Sequence, residues 1–199
     1  MLDTANALVS VDQAKEYLKI TSEEEDGIVE NLINRASAWA NDFTSRLLLS
    51  RPLTEYYDGE GGTELLLNQY PVTTVTAIHD DPLRAFGANT LVAASDYYVD
   101  QESGAVRLLN GVAFLTGVAS IKAAYTAGYA LASVPASIQE AVLLYIGHSY
   151  RREHLDQRFG VSTETVGDRT TTFKDEPFPE KAEQLLLPYR SERALLSGF

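Results

Sequence analysis

The chain has 199 residues, a formal net charge of -12 and no cysteine. Its length allows a proper core, and 45% hydrophobic with 22% charged residues is typical of a folded globular protein. The missing cysteines exclude disulfides and thiolate metal sites, and the excess of acid argues against a protein that grips nucleic acid, because phosphate binding needs clustered Lys and Arg. No apolar run is long enough to span a bilayer and the start lacks a basic leader, so we expect an unprocessed cytoplasmic protein with no membrane partner.

The first segment, 1–50, predicts two helices. Ser10 with Gln13 forms a capping-box pattern that opens a short helix, and Thr21 with Glu24 forms a second such pattern. Apolar residues then recur at three- and four-residue steps, which predicts a long amphipathic helix from about Ser22 to Arg46. The start of this helix carries a run of acids, which comprises Glu23, Glu24, Glu25 and Asp26.

The pattern changes from helical to alternating in the second segment, 51–132. The stretch "TEYYDGEGGTELLL" predicts a hairpin with "DGEGG" as its turn, and "TTVTAI" predicts the next strand. A second hairpin is predicted in "DYYVDQESGAVRLL", and a last strand in "VASIKAAYTAGY". We therefore expect an antiparallel β unit inserted between helices.

The third segment, 133–155, predicts a long helix after Pro135. Its residues from Ala141 to Ile146 are all apolar, so the helix must be covered on every side, either within the fold or by another subunit. Leu143 and Leu144 are accordingly candidate residues of a subunit interface.

The last two segments are 156–178 and 179–199. The first carries no convincing periodicity and predicts a flexible loop, of a length that tends to be disordered or functional. In the second, Pro179 starts a short helix that Pro188 stops, and an apolar and basic tail follows.

No group of residues predicts a catalytic, cofactor-binding or metal site. "HDD" at His79 lies at a strand end, where Asp residues start turns, and the acids near Asp58 and Asp100 lack the spacing of calcium loops. His148 and Ser149 are neighbours on a helix, so their side chains diverge and cannot share a proton. The sequence therefore predicts a protein without cofactors that works by shape and contact.

Several segments carry a resemblance through their order along the chain: "LLLSRPL", "YYDGEGGTELLLNQYPVTTVTAI", "DYYVDQESGAVRLL", "IKAAYTAGY", "VPASIQEAVLLYIGHSYRRE" and "LLLPYR". Together they resemble the head-tail connector, or adaptor, proteins of long-tailed bacteriophages, prophages and gene transfer agents. The longer form of that family, with a β insert between helices, is the closer match. The resemblance covers about Val9 to Arg190.

The resemblance implies an α+β fold, in which a helical connector core contains an inserted antiparallel β unit. It implies a non-enzymatic virion protein that forms a ring, usually of twelve subunits, at the head-tail junction. One face of such a ring docks on the portal protein, the other receives a stopper or tail-completion protein, and DNA passes through the centre. We expect assembly in the bacterial cytoplasm, from a free protein that can be monomeric.

Two surfaces and two alternative functions follow from these patterns. The tail is a candidate for docking on the portal, unless it folds back on its own subunit, through Tyr189, Arg190, Arg193, Leu195, Leu196 and Phe199. The acids from Glu23 to Asp26 either face the channel and repel DNA phosphates or simply complement the helix dipole. The competing function is a non-catalytic module that binds sugar or peptide through its paired tyrosines, with a hydrolase as a third alternative; those tyrosines are Tyr56, Tyr57, Tyr97 and Tyr98.

Overall fold

The structure is a computed structural model that describes residues 1–155, 163–166, 169–172 and 178–191. The described chain divides into two units. Unit 1 contains Met1–Ser45 and the described residues from Val134 onward, and unit 2 contains Arg46–Ser133. Helices make up most of unit 1 and antiparallel strands most of unit 2, which confirms the predicted α+β class.

The described part of unit 1 has four helices: α1 (Val11–Leu18), α2 (Asp26–Thr44), α3 (Ala136–Tyr150) and α4 (Glu180–Leu186). The predicted capping box of α1 is present, with the Ser10 side chain accepting from Gln13 N and the Gln13 side chain accepting from Ser10 N. One π-helical turn, Arg151–Leu155, continues α3, and a short 3-10 turn, Leu187–Tyr189, follows α4.

The predicted start of the long helix was wrong. Ser22 Oγ accepts from Glu24 N at 3.2 Å, and Asp26 N donates to Glu23 O at 3.2 Å, so these residues form a turn before α2 begins. A serine side chain that bonds a nearby amide competes with helical hydrogen bonding, which explains the four-residue difference. At the other end Ser45 adopts a left-handed conformation with φ of 52° and caps the helix, whose last residue is Thr44, two residues before Arg46.

Helix α3 is covered in part by its own unit and contacts α1, α2 and α4. Its fully buried positions are Ile138, Ala141, Val142 and Ile146. Tyr17 of α1 packs against Gly147, where an added Cβ would lie 2.8 Å from the tyrosine ring. Three helices of the same chain thus supply cover that the apolar run alone left open to another subunit.

Unit 2 contains six strands: β1 (Arg51–Gly59), β2 (Glu64–Leu66), β3 (Val72–Asp80), β4 (Tyr97–Asp100), β5 (Ala105–Leu108) and β6 (Gly117–Ala127). They form two antiparallel three-stranded sheets, with strand orders β1-β6-β3 and β2-β5-β4. Side chains from both sheets share one core, which includes Leu65, Ile78, Val106, Ile121 and Tyr125.

The first predicted hairpin was wrong, and the second was confirmed. Strand β1 pairs with β6, whereas β2 pairs with β5, so the residues on either side of "DGEGG" belong to different sheets. Strand β6 buries alternate residues and lies between β1 and β3. A local sequence pattern predicts that β6 is a strand, but it does not identify β6 as the partner of β1. Strands β4 and β5 form the expected hairpin, with Asp100 opposite Ala105.

Two further strands, β7 (Thr163–Val166) and β8 (Arg169–Thr172), pair with each other inside the segment predicted to be a flexible loop. Six of their eight residues are β-branched, namely five threonines and Val166. Such residues favour strands, so the threonine content read as irregular was in fact a strand signal. The other residues of 156–177 lie outside the described part of the chain.

Candidate interaction surfaces

The acids at the start of α2 have different environments. Glu23 and Glu24 are exposed in the preceding turn. By contrast, Glu25 Oε2 accepts from the Tyr150 hydroxyl at 2.6 Å, and this bond raises the pKa of Tyr150. Asp26 Oδ1 lies 2.5 Å from Lys15 Nζ in an ion pair. The first two acids are therefore exposed, while the other two have contacts within unit 1.

The end of α3 is attached to α2 by a charged pair. Both Arg35 terminal nitrogens donate to Glu153, at 2.9 and 2.7 Å. The guanidinium holds the pKa of Glu153 below its usual range. A two-bond pair of this kind fixes orientation as well as distance, so it holds the π-helical turn after α3 against α2.

A cluster of partly exposed aromatic rings lies on unit 1, beside Leu143 and Leu144 in sequence. Trp39 of α2 lies 5.3 Å from Tyr145 of α3 and 5.1 Å from Phe178, measured between ring centroids. His148 lies 5.8 Å from Phe178. Leu143 and Leu144 are themselves half-buried, so they retain some surface for a partner. The sequence patterns did not predict this cluster, because their one signal for it was the helical spacing of Trp39 and Phe43.

The described part of the C-terminal tail contacts unit 1. The Tyr189 and Ser137 hydroxyls lie 2.8 Å apart, and Ser191 N donates to Thr44 O at 2.8 Å. The Arg190 guanidinium lies 6.0 Å from the ring centroid of Phe43. The start of the proposed docking segment therefore folds onto its own chain. Its remaining candidates lie outside the described residues: Arg193, Leu195, Leu196 and Phe199.

The paired tyrosines of unit 2 serve different purposes. The Tyr57 and Tyr125 hydroxyls both donate to Glu55 Oε2, the second at 2.5 Å. Burial and this carboxylate raise the pKa of both tyrosines. Tyr125 also accepts from Gln69 N at 3.2 Å, so the network holds the chain after β2 against the first sheet. Tyr56 lies on the outside, 5.6 Å from the ring of Phe86.

Three aspartates hold the loops at one end of the first sheet. Asp81 accepts from the amides of Leu83, Ala85 and Phe86 at 2.8 to 2.9 Å, which lowers its pKa, the Phe86 amide having the largest effect. Asp80 accepts from Leu115 N and Asp58 from Ala119 N. The turn interpretation of "HDD" is thereby confirmed. Apolar side chains are exposed at this end, with Leu83 in the loop after β3 89% exposed and Val118 at the start of β6 75% exposed.

A groove of about 280 Å³ runs between β3 and β4, which are edge strands of the two sheets. Its lining carries no charged residue and consists of Val72, Thr73, Thr74, Val75, Ala94, Tyr97, Tyr98, Val99 and Gln101. Among the lining residues, Val72 N donates to Gln101 O at 2.7 Å, which links β3 to the residue after β4. An uncharged groove bordered by two strand edges suits an extended backbone better than a polar small molecule.

The described residues contain no group of three or more metal-ligating side chains placed to hold an ion. Among the helices described, none is both long and apolar enough to cross a membrane.

Known proteins match this chain over most of its length. A sequence model of head completion proteins matches residues 7–192. The fold is similar to a chain of the neck of an empty gene transfer agent (GTA) particle computed with C6 symmetry, at 18% identity and a TM-score of 0.66, covering 96% of this chain and 93% of that chain. A chain from the neck of a native GTA particle computed with C12 symmetry matches at 20% identity and a TM-score of 0.61, with coverages of 96% and 92%. A chain in the virion of a native GTA particle gives the same values. No curated protein matched in a sequence comparison.

Proposed function

Because the chain belongs to the head completion protein family, we propose that it is a structural head-tail connector of a tailed phage or phage-like particle. It forms a ring at the head-tail junction, docks on the portal protein, and receives a stopper or tail-completion protein on its other face. The observation that carries the proposal is the extent of the family match, which spans residues 7–192 and so includes both units.

The fold supports a ring of several copies. The neck structures that it resembles were computed with sixfold and twelvefold symmetry, and twelve copies is the number we propose for this chain in the particle. A ring uses the same two surfaces on every subunit, one for each neighbour. The half-buried Leu143 and Leu144 beside the aromatic cluster of unit 1 are proposed as part of one such surface.

The C-terminal tail is the proposed contact with the portal. Tyr189 and Ser191 anchor its start on unit 1, so the segment available for a partner begins at residue 192. The sequence from there, "ERALLSGF", combines apolar side chains with Arg193. Burying an apolar side chain of this size stabilises a complex by roughly 1.5 to 3 kcal/mol. The total gain from the partner must exceed the free-energy cost of ordering the tail.

Portal binding tests the proposal. The triple variant Leu195→Ser, Leu196→Ser and Phe199→Ser keeps the length and charge of the tail and removes its apolar groups. We expect an unchanged melting temperature and loss of co-sedimentation with purified portal rings. Truncation after Ser191 should give the same result, because it leaves the contacts of Tyr189 and Ser191 intact. If both variants bind the portal as the natural sequence does, the tail is not the contact.

The exposed acids before α2 are the proposed channel-facing charges, because DNA passing through the ring must not be retained. Replacing Glu23 and Glu24 by Lys should leave folding intact and create DNA binding that weakens as salt rises. The matched control replaces Glu180 and Glu183, which are exposed on α4, and makes the same change in net charge. Equal DNA affinity in assembled rings of both variants would remove Glu23 and Glu24 from the channel.

A further inference from the structure

The edge of β4 is an incomplete part of unit 2. Strand β4 is the last strand of the sheet β2-β5-β4, and its free side borders the uncharged groove. Exposed strand edges are usually protected by charge, proline or a bulge. Edge strand β1 has such protection in Pro52 and Glu55, and β3 has two register irregularities, whereas β4 pairs regularly along its length.

Alternation along β4 determines which backbone groups face the groove. Leu109 N donates to Asp96 O at 2.8 Å, which identifies a hydrogen-bonded pair, and two residues further on Tyr98 is in the same position. Tyr97 and Val99 therefore direct their N–H and C=O groups away from β5. Tyr98 is 57% exposed, and Tyr97 and Val99, which carry the outward groups, are half-buried.

The hairpin β7–β8 has an outer strand edge of the same kind. Its strands pair only with each other among the described residues, and a two-stranded hairpin by itself is marginally stable in water. Val166 is paired with Arg169 across two intervening residues, which makes them a hydrogen-bonded pair. By alternation, Thr170 and Thr172 direct their backbone groups away from β7.

The two edges match in length, hydrogen-bonding pattern and charge. Each strand has four residues. When β8 pairs antiparallel with β4 and Thr170 lies opposite Val99, the outward N–H and C=O groups of the two strands face each other. The same register places Arg169, the one charged residue of β8, opposite Asp100. A hydrogen bond from Ser103 keeps the pKa of Asp100 low, so its carboxylate is ionised for this pairing.

We propose that β8 of one copy adds to the edge of β4 in a second copy of this chain, so that the hairpin extends the sheet β2-β5-β4 of its neighbour. The hairpin belongs to unit 1 and the β4 edge to unit 2, so the contact joins two different surfaces, as a head-to-tail ring requires. The inference rests on the proposed function only in taking several copies to meet in a ring.

Cysteine cross-linking tests the contact directly, because the natural chain has no cysteine. The register places Tyr98 opposite Thr171 in a non-hydrogen-bonded pair, at a separation that a disulfide can span. Tyr98→Cys and Thr171→Cys are made in separate chains, mixed in equal amounts and oxidised over a range of concentrations. The control mixes Thr171→Cys with Tyr56→Cys, which is exposed at 54% on β1.

We expect a several-fold higher yield of the disulfide-linked dimer from the first mixture, and a loss of that excess when Arg169→Glu is added to the Thr171→Cys chain. A yield equal to that of the Tyr56 control at every concentration overturns the proposal. So does a disulfide that forms only when both cysteines are in one chain. Sedimentation and portal binding of the unoxidised protein separate the two proposals, because rings that bind the portal without this cross-link leave the connector function standing.

Discussion

Removing one hydroxyl from the core of unit 2 should destabilise that unit measurably. Tyr125→Phe keeps the buried ring and deletes the group that donates to Glu55 at 2.5 Å and accepts from Gln69 N at 3.2 Å. A hydrogen bond to a charged group contributes about 1.5 to 3 kcal/mol, and an amide left without its acceptor costs about 1 to 3 kcal/mol when fully buried and less at the partly buried Gln69. Since Glu55 keeps the Tyr57 hydroxyl, we expect the free energy of unfolding to fall by about 2 to 4 kcal/mol.

The assay must distinguish the two units. Trp39, the single tryptophan, lies in unit 1, so its fluorescence follows the helices. Amide hydrogen exchange along β6 follows unit 2 directly. The control is Tyr98→Phe, which removes a hydroxyl from an exposed ring and should change exchange by less than about 0.5 kcal/mol. If Tyr125→Phe behaves like this control, the buried network does not stabilise unit 2 and the reasoning is refuted.

Three other predictions concern the same fold. Because burial and Glu55 raise the pKa of Tyr57 and Tyr125, the stability that these two tyrosines contribute is complete below about pH 10. Above about pH 10 the free energy of unfolding should fall by about 1.4 kcal/mol per pH unit for each tyrosine. Tyr57→Phe should therefore reduce the slope of stability against pH in alkaline unfolding. Gly128→Ala should cost about 3 kcal/mol or more in urea unfolding, because φ is 106° and the new Cβ would lie 2.7 Å from the Leu49 backbone, whereas Gly62→Ala, with nothing within 4 Å, should be close to neutral. Leu143→Asp should leave circular dichroism unchanged but weaken self-association in sedimentation, and a folded variant with unchanged association would remove this residue from the interface.

Local signals predicted their elements well. The capping box of α1 and the β4–β5 hairpin each depend on residues within a few positions of one another, so the sequence pattern contains the whole interaction. The β-branched residues of β3 and the alternation in β6 likewise predicted strands. The order of the segments along the chain carried the family resemblance, and the match of residues 7–192 to head completion proteins confirms that resemblance.

Interactions between distant segments could not be predicted in this way. Strand β1 pairs with β6 more than sixty residues later, and only that register brings Tyr125 to Glu55. The cover of α3 comes from three helices, one of them near the C-terminus, so an apolar run alone could not tell internal packing from a subunit contact. Glu25 and Asp26 differ from Glu23 and Glu24 because they contact Tyr150 and Lys15, whose positions are set by folding.

The central claim is that this chain forms a ring on the portal, and electron microscopy of the two purified proteins together tests it most directly. We expect a second ring of density on one face of the portal, with twelve copies of this chain, in line with the twelvefold symmetry with which the native GTA neck was computed. Labelling of unit 2, for example through a single cysteine at Tyr56, should add one feature per copy at a common radius. Portal rings that stay bare, or that carry isolated copies without rotational order, would contradict the account.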